Sequence, residues 1–154
     1  KDQLEKHTHI MVYGETIQES QTALAEHLST FLPKQLHSVY YVNSGTEAIE
    51  GALKLARRTT GRGQLISCYN AYHGNTMGSM SVMGFEERKR IFRPLIPDVD
   101  FITFNNEADL EKITTKTAGI ILETIQGGAD GINANPGVVR TLNASRTKVR
   151  TAYR

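Results

Sequence analysis

The sequence predicts an α/β domain with a largely parallel sheet, and three observations carry that expectation. Segments with helical apolar spacing alternate with short runs rich in β-branched and aromatic residues. Glycine, proline or polar residues punctuate the joints, as at Leu32-Pro33 and Thr60-Gly61-Arg62-Gly63. Three of the expected strands end in polar or glycine-containing loops, which is where open α/β sheets collect ligands.

In chain order, Thr16 to Phe31 places Ile17, Leu24, Leu28 and Phe31 on one helical face, and Leu32-Pro33 closes the segment. Ser38 to Val42 reads as a strand. Thr46 to Arg58 reads as a helix, with Ile49, Leu53 and Ala56 at helical spacing. Gln64 to Cys68 is a short buried strand, Thr76 to Met83 a helix and Glu86 to Phe92 a shorter one. Phe101 to Phe104 is expected as a strand, Glu107 to Ile113 as a helix and Ala118 to Glu123 as an apolar strand. No internal repeat or low-complexity segment interrupts this order.

Composition narrows the function. The chain has 154 residues, of which 39% are hydrophobic and 22% charged, enough to bury one core. A formal charge of +2, with both signs interspersed, argues against a nucleic-acid partner. No apolar run approaches the roughly 20 residues of a membrane span, and Lys1-Asp2-Gln3-Leu4-Glu5-Lys6 does not read as a signal peptide. The single cysteine, Cys68, excludes an internal disulfide and points to a reducing cytoplasm. It follows Leu65-Ile66 and is expected as a buried thiol.

The loops hold the chemistry. Asn43-Ser44-Gly45-Thr46 stands between a strand pattern and a helix, so the first helical amides lack partners and favour an anion, phosphate above all. Gly45 lets the backbone approach such a group closely. The second loop, Tyr69 to Thr76, sets Tyr72 and His73 immediately before Gly74. In the third, Glu123 closes an apolar strand and Gln126-Gly127-Gly128 follows. A phosphate cradle, a flat aromatic surface and a carboxylate at one sheet edge suit a planar, phosphorylated cofactor.

At these residues the sequence resembles a known family. Asn43 to Ala48, Glu50, Ala52 to Arg57, Tyr72-His73-Gly74 and Glu123 to Gly127 look like the class III pyridoxal-phosphate aminotransferases, the group that contains acetylornithine and ornithine aminotransferases. The resemblance runs from about Lys1 to Ala129. It implies part of a fold-type I large domain (a mostly parallel sheet flanked by helices) and pyridoxal 5'-phosphate as cofactor. It further implies a homodimer and transfer of an amino group from an amino donor, such as acetylornithine or ornithine, to a 2-oxo acid such as 2-oxoglutarate. Position by position, it makes Ser44, Gly45 and Thr46 the phosphate site and Tyr72 the aromatic that stacks on the pyridine ring, with His73 and Gly74 supporting that loop. Glu123 matches a glutamate beside the active site and Gln126 the polar residue near the cofactor's ring oxygen, both in orienting parts. No metal is implied.

The same resemblance frames the departures. The family's Schiff-base lysine and the aspartate that pairs with the pyridinium nitrogen lie beyond the third motif, and neither is identifiable here. The last aspartate is Asp130, and the only lysine after Lys116 is Lys148, which reads as a solvated basic residue. Thr124 stands where the family usually has proline, and Gly128 where it has an acid that pairs with an arginine. Gly131 to Arg154 holds five basic residues, no acidic ones and little apolar periodicity, so no helix is expected there. The organisation expected is a helical segment over 1–35, a partial cofactor-binding large domain over 36–129 and a divergent basic tail over 130–154. The chain thus reads as incomplete at both ends and inactive by itself. Alternatives are an aminomutase, decarboxylase or racemase of the same family, or a noncatalytic assembly subunit. A nucleotide enzyme is disfavoured because neither Gly-X-X-X-X-Gly-Lys-Ser/Thr nor Gly-X-Gly-X-X-Gly occurs.

Overall fold

The computed structural model describes residues 1–11 and 13–141, which fall into two compact units that meet in the chain between Tyr41 and Val42. The first contains α1 (Asp2–His7) and α2 (Glu19–Ser29). Helix α2 is shorter than the periodicity suggests because Gln18, in extended conformation, caps it. Its expected apolar face is exposed among the described residues, with Ile17 at 91% and Phe31 at 73%, and α2 buries no residue. The expected strand at Ser38 to Val42 does not form. A strand exists only by pairing, and this β-prone stretch has no ladder partner among the described residues.

The second unit carries the sheet. Strand β1 (Gln64–Cys68) lies between β2 (Val99–Ile102) and β3 (Thr117–Ile120), parallel to both. Side chains alternate across β1, so Ile66 and Cys68 pack with Ile102, Phe104 and Leu110 on one face, while Leu65 packs with Leu53 and Val82 on the other. Burial on both faces is why this strand reads as an apolar run.

Leu53 comes from α3 (Gly45–Thr60), which starts at Ser44 and ends where Gly61, at φ +67°, returns its N–H to the Arg57 carbonyl at 2.9 Å. Glycine, which has no Cβ, takes that left-handed turn at the least cost. Glu47 in its first turn and Arg57 and Arg58 in its last complement the helix dipole.

The remaining elements are shorter than expected. Helix α4 spans Met77–Ser81, held by a capping box between Thr76 and Ser79. Helix α5 (Glu86–Lys89) passes into a 3₁₀ turn at Arg90–Phe92. The segment expected as a helix at Glu107 to Ile113 is a 3₁₀ turn, Ala108–Lys112. There the Asp109 carboxylate accepts from Thr103 N–H at 2.5 Å and Asn106 Oδ1 from Ala108 N–H at 3.1 Å, local bonds that compete with an α-helical turn. Strand β3 stops at Ile120, short of Glu123, and Ile121 N–H makes a last bond to the Ile66 carbonyl at 2.8 Å.

After it comes a two-residue hairpin the sequence did not suggest, β4 (Ile125–Gln126) against β5 (Ile132–Asn133). Residues 136–141 then form a helix, α6, in the stretch where none was expected. The signal was local and missed: Asn135 Oδ1 caps Gly137 N–H at 2.8 Å, and Pro136 occupies the first helical position. Lys148 and the rest of 142–154 lie outside the described residues.

Candidate active site

The site builds from the N-terminus of α3. Ser44 is extended, at φ −155° and ψ 161°, so its hydroxyl turns back to accept from Glu47 N–H at 3.3 Å. Glu47 reciprocates by accepting from Asn43 N–H at 2.8 Å. Helix geometry leaves the amides of Gly45 and Thr46 without upstream carbonyls, and a Cβ added at Gly45 would meet no atom within 4 Å. An anion therefore has both donors and room here.

The second loop is fastened to this helix end. Thr46 Oγ1 lies 2.6 Å from Ser79 Oγ and 2.9 Å from Thr76 Oγ1. Thr76 donates to Glu50 Oε1 at 2.5 Å, and the same oxygen accepts from the N–H groups of Gly78 and Ser79 at 2.8 and 3.2 Å. Glu50, in the sequence motif but without an assigned part, thus caps α4 from α3. Gly74, at φ +130°, lies so close to Thr46 that a Cβ would overlap the threonine side chain. The structure thus brings Gly74 and Thr46 together.

Tyr72 is 44% exposed and donates to Asn75 Oδ1 at 3.1 Å. His73 is buried beneath it in sequence, with Nε2 3.2 Å from Ser67 Oγ, and burial lowers its pKa below 6.5. A buried neutral imidazole supports the loop. Because the unfolded chain protonates His73 at higher pH than the folded protein does, stability from this group is full above about pH 6.5 and falls as pH drops through that value. Urea midpoints measured from pH 8 to 5 should decline in the acid half of that range, and His73→Gln should flatten part of the decline. An unchanged slope would contradict it.

The third loop lies against the second. Gln126 is 2% exposed and donates from Nε2 to the Tyr69 carbonyl at 2.8 Å, so its amide ties backbone to backbone. A Cβ on Gly128 would come within 2.9 Å of the Phe85 ring and 3.4 Å of the Asn70 carbonyl. Glu123 Oε2 is buried and has no hydrogen-bond partner among the described residues. Its charge helps raise the Cys68 thiol to about 12, after burial itself and ahead of Asp109, so Cys68 is an inert core group. No hydrogen bond joins Tyr72 to Glu123 among the described residues. The groove of about 790 Å³ lined by Gly63, Gln64, Asp98 and Lys116 lies at the amino ends of the strands, opposite these loops.

The phosphate end of pyridoxal phosphate fits what is present: open amides, an uncrowded Gly45 and a hydroxyl network behind them. An orphaned carboxylate oxygen also awaits a donor at the same sheet edge. Comparison with known proteins agrees. The family model for class-III aminotransferases matches residues 1–148, well beyond Ala129, where the motif-based resemblance stops. The LysW-aminoadipate semialdehyde/glutamate semialdehyde transaminase of Sulfolobus acidocaldarius is 46% identical over 110 residues, 71% of this chain and 28% of that protein. The acetylornithine aminotransferase of Archaeoglobus fulgidus is 41% identical over 150 residues, 96% of this chain and 39% of its own length.

Among solved structures, the taurine:2-oxoglutarate aminotransferase of Bifidobacterium kashiwanohense, in complex with PLP and glutamate, superposes with a TM-score of 0.82 at 21% identity, covering 96% of this chain and 39% of that one. An (S)-enantioselective omega-transaminase of Thermomicrobium roseum gives 0.83 at 22% identity, covering 96% and 39%. The fold is part of the large domain of fold-type I pyridoxal-phosphate enzymes. The chain belongs to the class-III aminotransferase family, whose cofactor is pyridoxal phosphate. It spans between 28% and 39% of the length of these relatives.

Proposed function

We propose that this chain supplies the phosphate-holding and ring-supporting part of an aminotransferase that moves an amino group from an amino donor to a 2-oxo acid. The observation that carries this reading is the α3 N-terminus, open at Gly45 and fastened through Thr46 to the Tyr72-His73-Gly74 loop. The amides of Gly45 and Thr46, with the Ser44 hydroxyl, hold the phosphate. Tyr72 presents its exposed ring to the pyridine face for about 1 kcal/mol of stacking. Glu123 and Gln126 orient the surrounding loops. When bound, the cofactor supplies an aldehyde that condenses with an amine and a ring that accepts the electrons of a broken Cα–H bond.

The family resemblance supports acetylornithine or ornithine as donor, 2-oxoglutarate as acceptor and a homodimer, and the single cysteine, Cys68, supports a cytoplasmic site. Among the described residues, no helix is long and apolar enough to cross a membrane. The chain by itself holds the cofactor without a covalent bond and does not turn over. An absorbance titration with pyridoxal phosphate should show saturable binding that gel filtration reverses. Gly45→Glu places a carboxylate where the phosphate sits, at an exposed position that tolerates side chains and welcomes acid. It should weaken binding at least about tenfold with an unchanged melting temperature. Borohydride-stable incorporation at a lysine would refute the noncovalent part, and equal binding by Gly45→Glu the phosphate assignment.

A further inference from the structure

Lys89 is the one buried lysine among the described residues, and the cofactor reading gives it no part. Its side chain is 3% exposed. Nζ donates to the Met83 carbonyl at 2.6 Å and to the Ser81 carbonyl at 3.4 Å, and sits 4.0 Å above the centroid of the Phe101 ring. Glu86 Oε2, at 3.8 Å and largely exposed, is its ion-pair partner. Burying an ammonium costs several kcal/mol before these contacts offset it, and a methionine would fill the same space without that cost. The acceptors show what the cation does: both are carbonyls at and just beyond the C-terminal end of α4, where the backbone has no helical partner.

From Met83 the connection is short. Gly84 N–H donates to the Ala71 carbonyl at 2.8 Å, and its own carbonyl accepts from Asn70 N–H at 3.2 Å. A Cβ on Gly84 would overlap the backbone of Cys68, Tyr69 and Asn70, so the two segments touch main chain to main chain. Asn70 itself is held in a left-handed conformation at φ +60°. From the other side Gln126 fixes the Tyr69 carbonyl, and Gly128 approaches Asn70 and Phe85. Residues 69–71 are thus clamped between the 83–84 turn and the third loop, and Tyr72 is the next residue along the chain.

We infer that Lys89 is a positioning residue for the aromatic wall of the cofactor site: its ammonium fixes the Ser81–Met83 carbonyls, and through the Gly84 contact it sets where Tyr72 stands. The inference rests on the proposed cofactor reading. It separates the ring from the phosphate, because Lys89 acts on the loop bearing Tyr72 while the phosphate amides belong to α3.

The test is a double-mutant cycle on the protein, read by pyridoxal phosphate titration and by inorganic phosphate competition. Lys89→Met should weaken pyridoxal phosphate binding three- to tenfold and leave inorganic phosphate affinity unchanged. In a Tyr72→Ala background the same substitution should cause no further loss. Lys89→Arg, which keeps a cation and donors, should recover much of the affinity. If Lys89→Met does not fold, Lys89→Gln, a neutral amide that reaches the same carbonyls less well, takes its place in the cycle with the same pattern required. A loss shared equally by phosphate and pyridoxal phosphate, or one that persists without Tyr72, overturns the positioning role. A wild type that binds no pyridoxal phosphate overturns the cofactor reading and the Lys89 role with it.

Discussion

Gly84→Ala should cost at least about 3 kcal/mol of stability, the upper range of overpacking, because the added methyl would lie 2.2–2.7 Å from three backbone atoms. The Cys68 carbonyl, the Tyr69 carbonyl carbon and the Asn70 nitrogen belong to the end of the central strand and its exit loop. A flexible side chain could swing aside at little cost, whereas these atoms move only if β1 or the clamped turn moves. Since a domain of this kind has roughly 5–15 kcal/mol in hand, a loss of that size removes between about a fifth and three fifths of it. Gly127→Ala is the control, because a Cβ there meets nothing within 4 Å and should change stability by no more than about 0.5 kcal/mol. Urea denaturation of the two variants measures the difference. Equal midpoints would mean that the 83–84 turn is not locked to the strand end.

Gly74→Ala is the second large effect, and it should appear in binding as well as in stability. At φ +130° an alanine is strained by about 1–3 kcal/mol whatever space surrounds it. Its methyl would also overlap the Thr46 side chain and the Ser79 hydroxyl, the two groups that fasten the second loop to α3. The loop must lift or Thr46 must turn, and either displaces one wall of the proposed phosphate site. Pyridoxal phosphate affinity should fall at least about tenfold, the equivalent of 1.4 kcal/mol, alongside a lower denaturation midpoint. Wild-type affinity in a folded Gly74→Ala protein would remove the loop from the binding site.

The two glycines show how differently the same residue type can be read. Gly74 was legible in sequence because it followed Tyr72-His73 at a strand exit. Gly84 carried no such signal, since its constraint comes from a main chain thirteen or more residues away. Glu50 was visible as part of the helix motif, yet its acceptor role depends on the N-terminus of α4, which periodicity alone does not place. Lys89 lies in Glu86 to Phe92, where the sequence points to a short helix and to no particular role for the lysine. Only folding buries it. Gln126 is the converse: the resemblance sets it near a ring oxygen, while the structure shows its amide donating to the Tyr69 carbonyl.

The strand forecast for Ser38 to Val42 failed for a related reason. Tyr40 and Val39 favour a pleated backbone, and β propensity measures fit to neighbours that must be present. The hairpin from Ile125 to Asn133 went the other way, because Asp130 and Gly131 adopt positive φ and turn a short glycine-rich run back on itself.

By itself, the sequence determined the parallel α/β order, the limits of β1 and the family to which the chain belongs, because periodicity and motif spacing are local properties. The tertiary structure alone decided which carboxylate caps α4, which lysine is buried and which loops clamp Tyr69 to Ala71. Those outcomes depend on contacts between segments far apart in the chain, where backbone groups lacking local partners find them only after the sheet has formed.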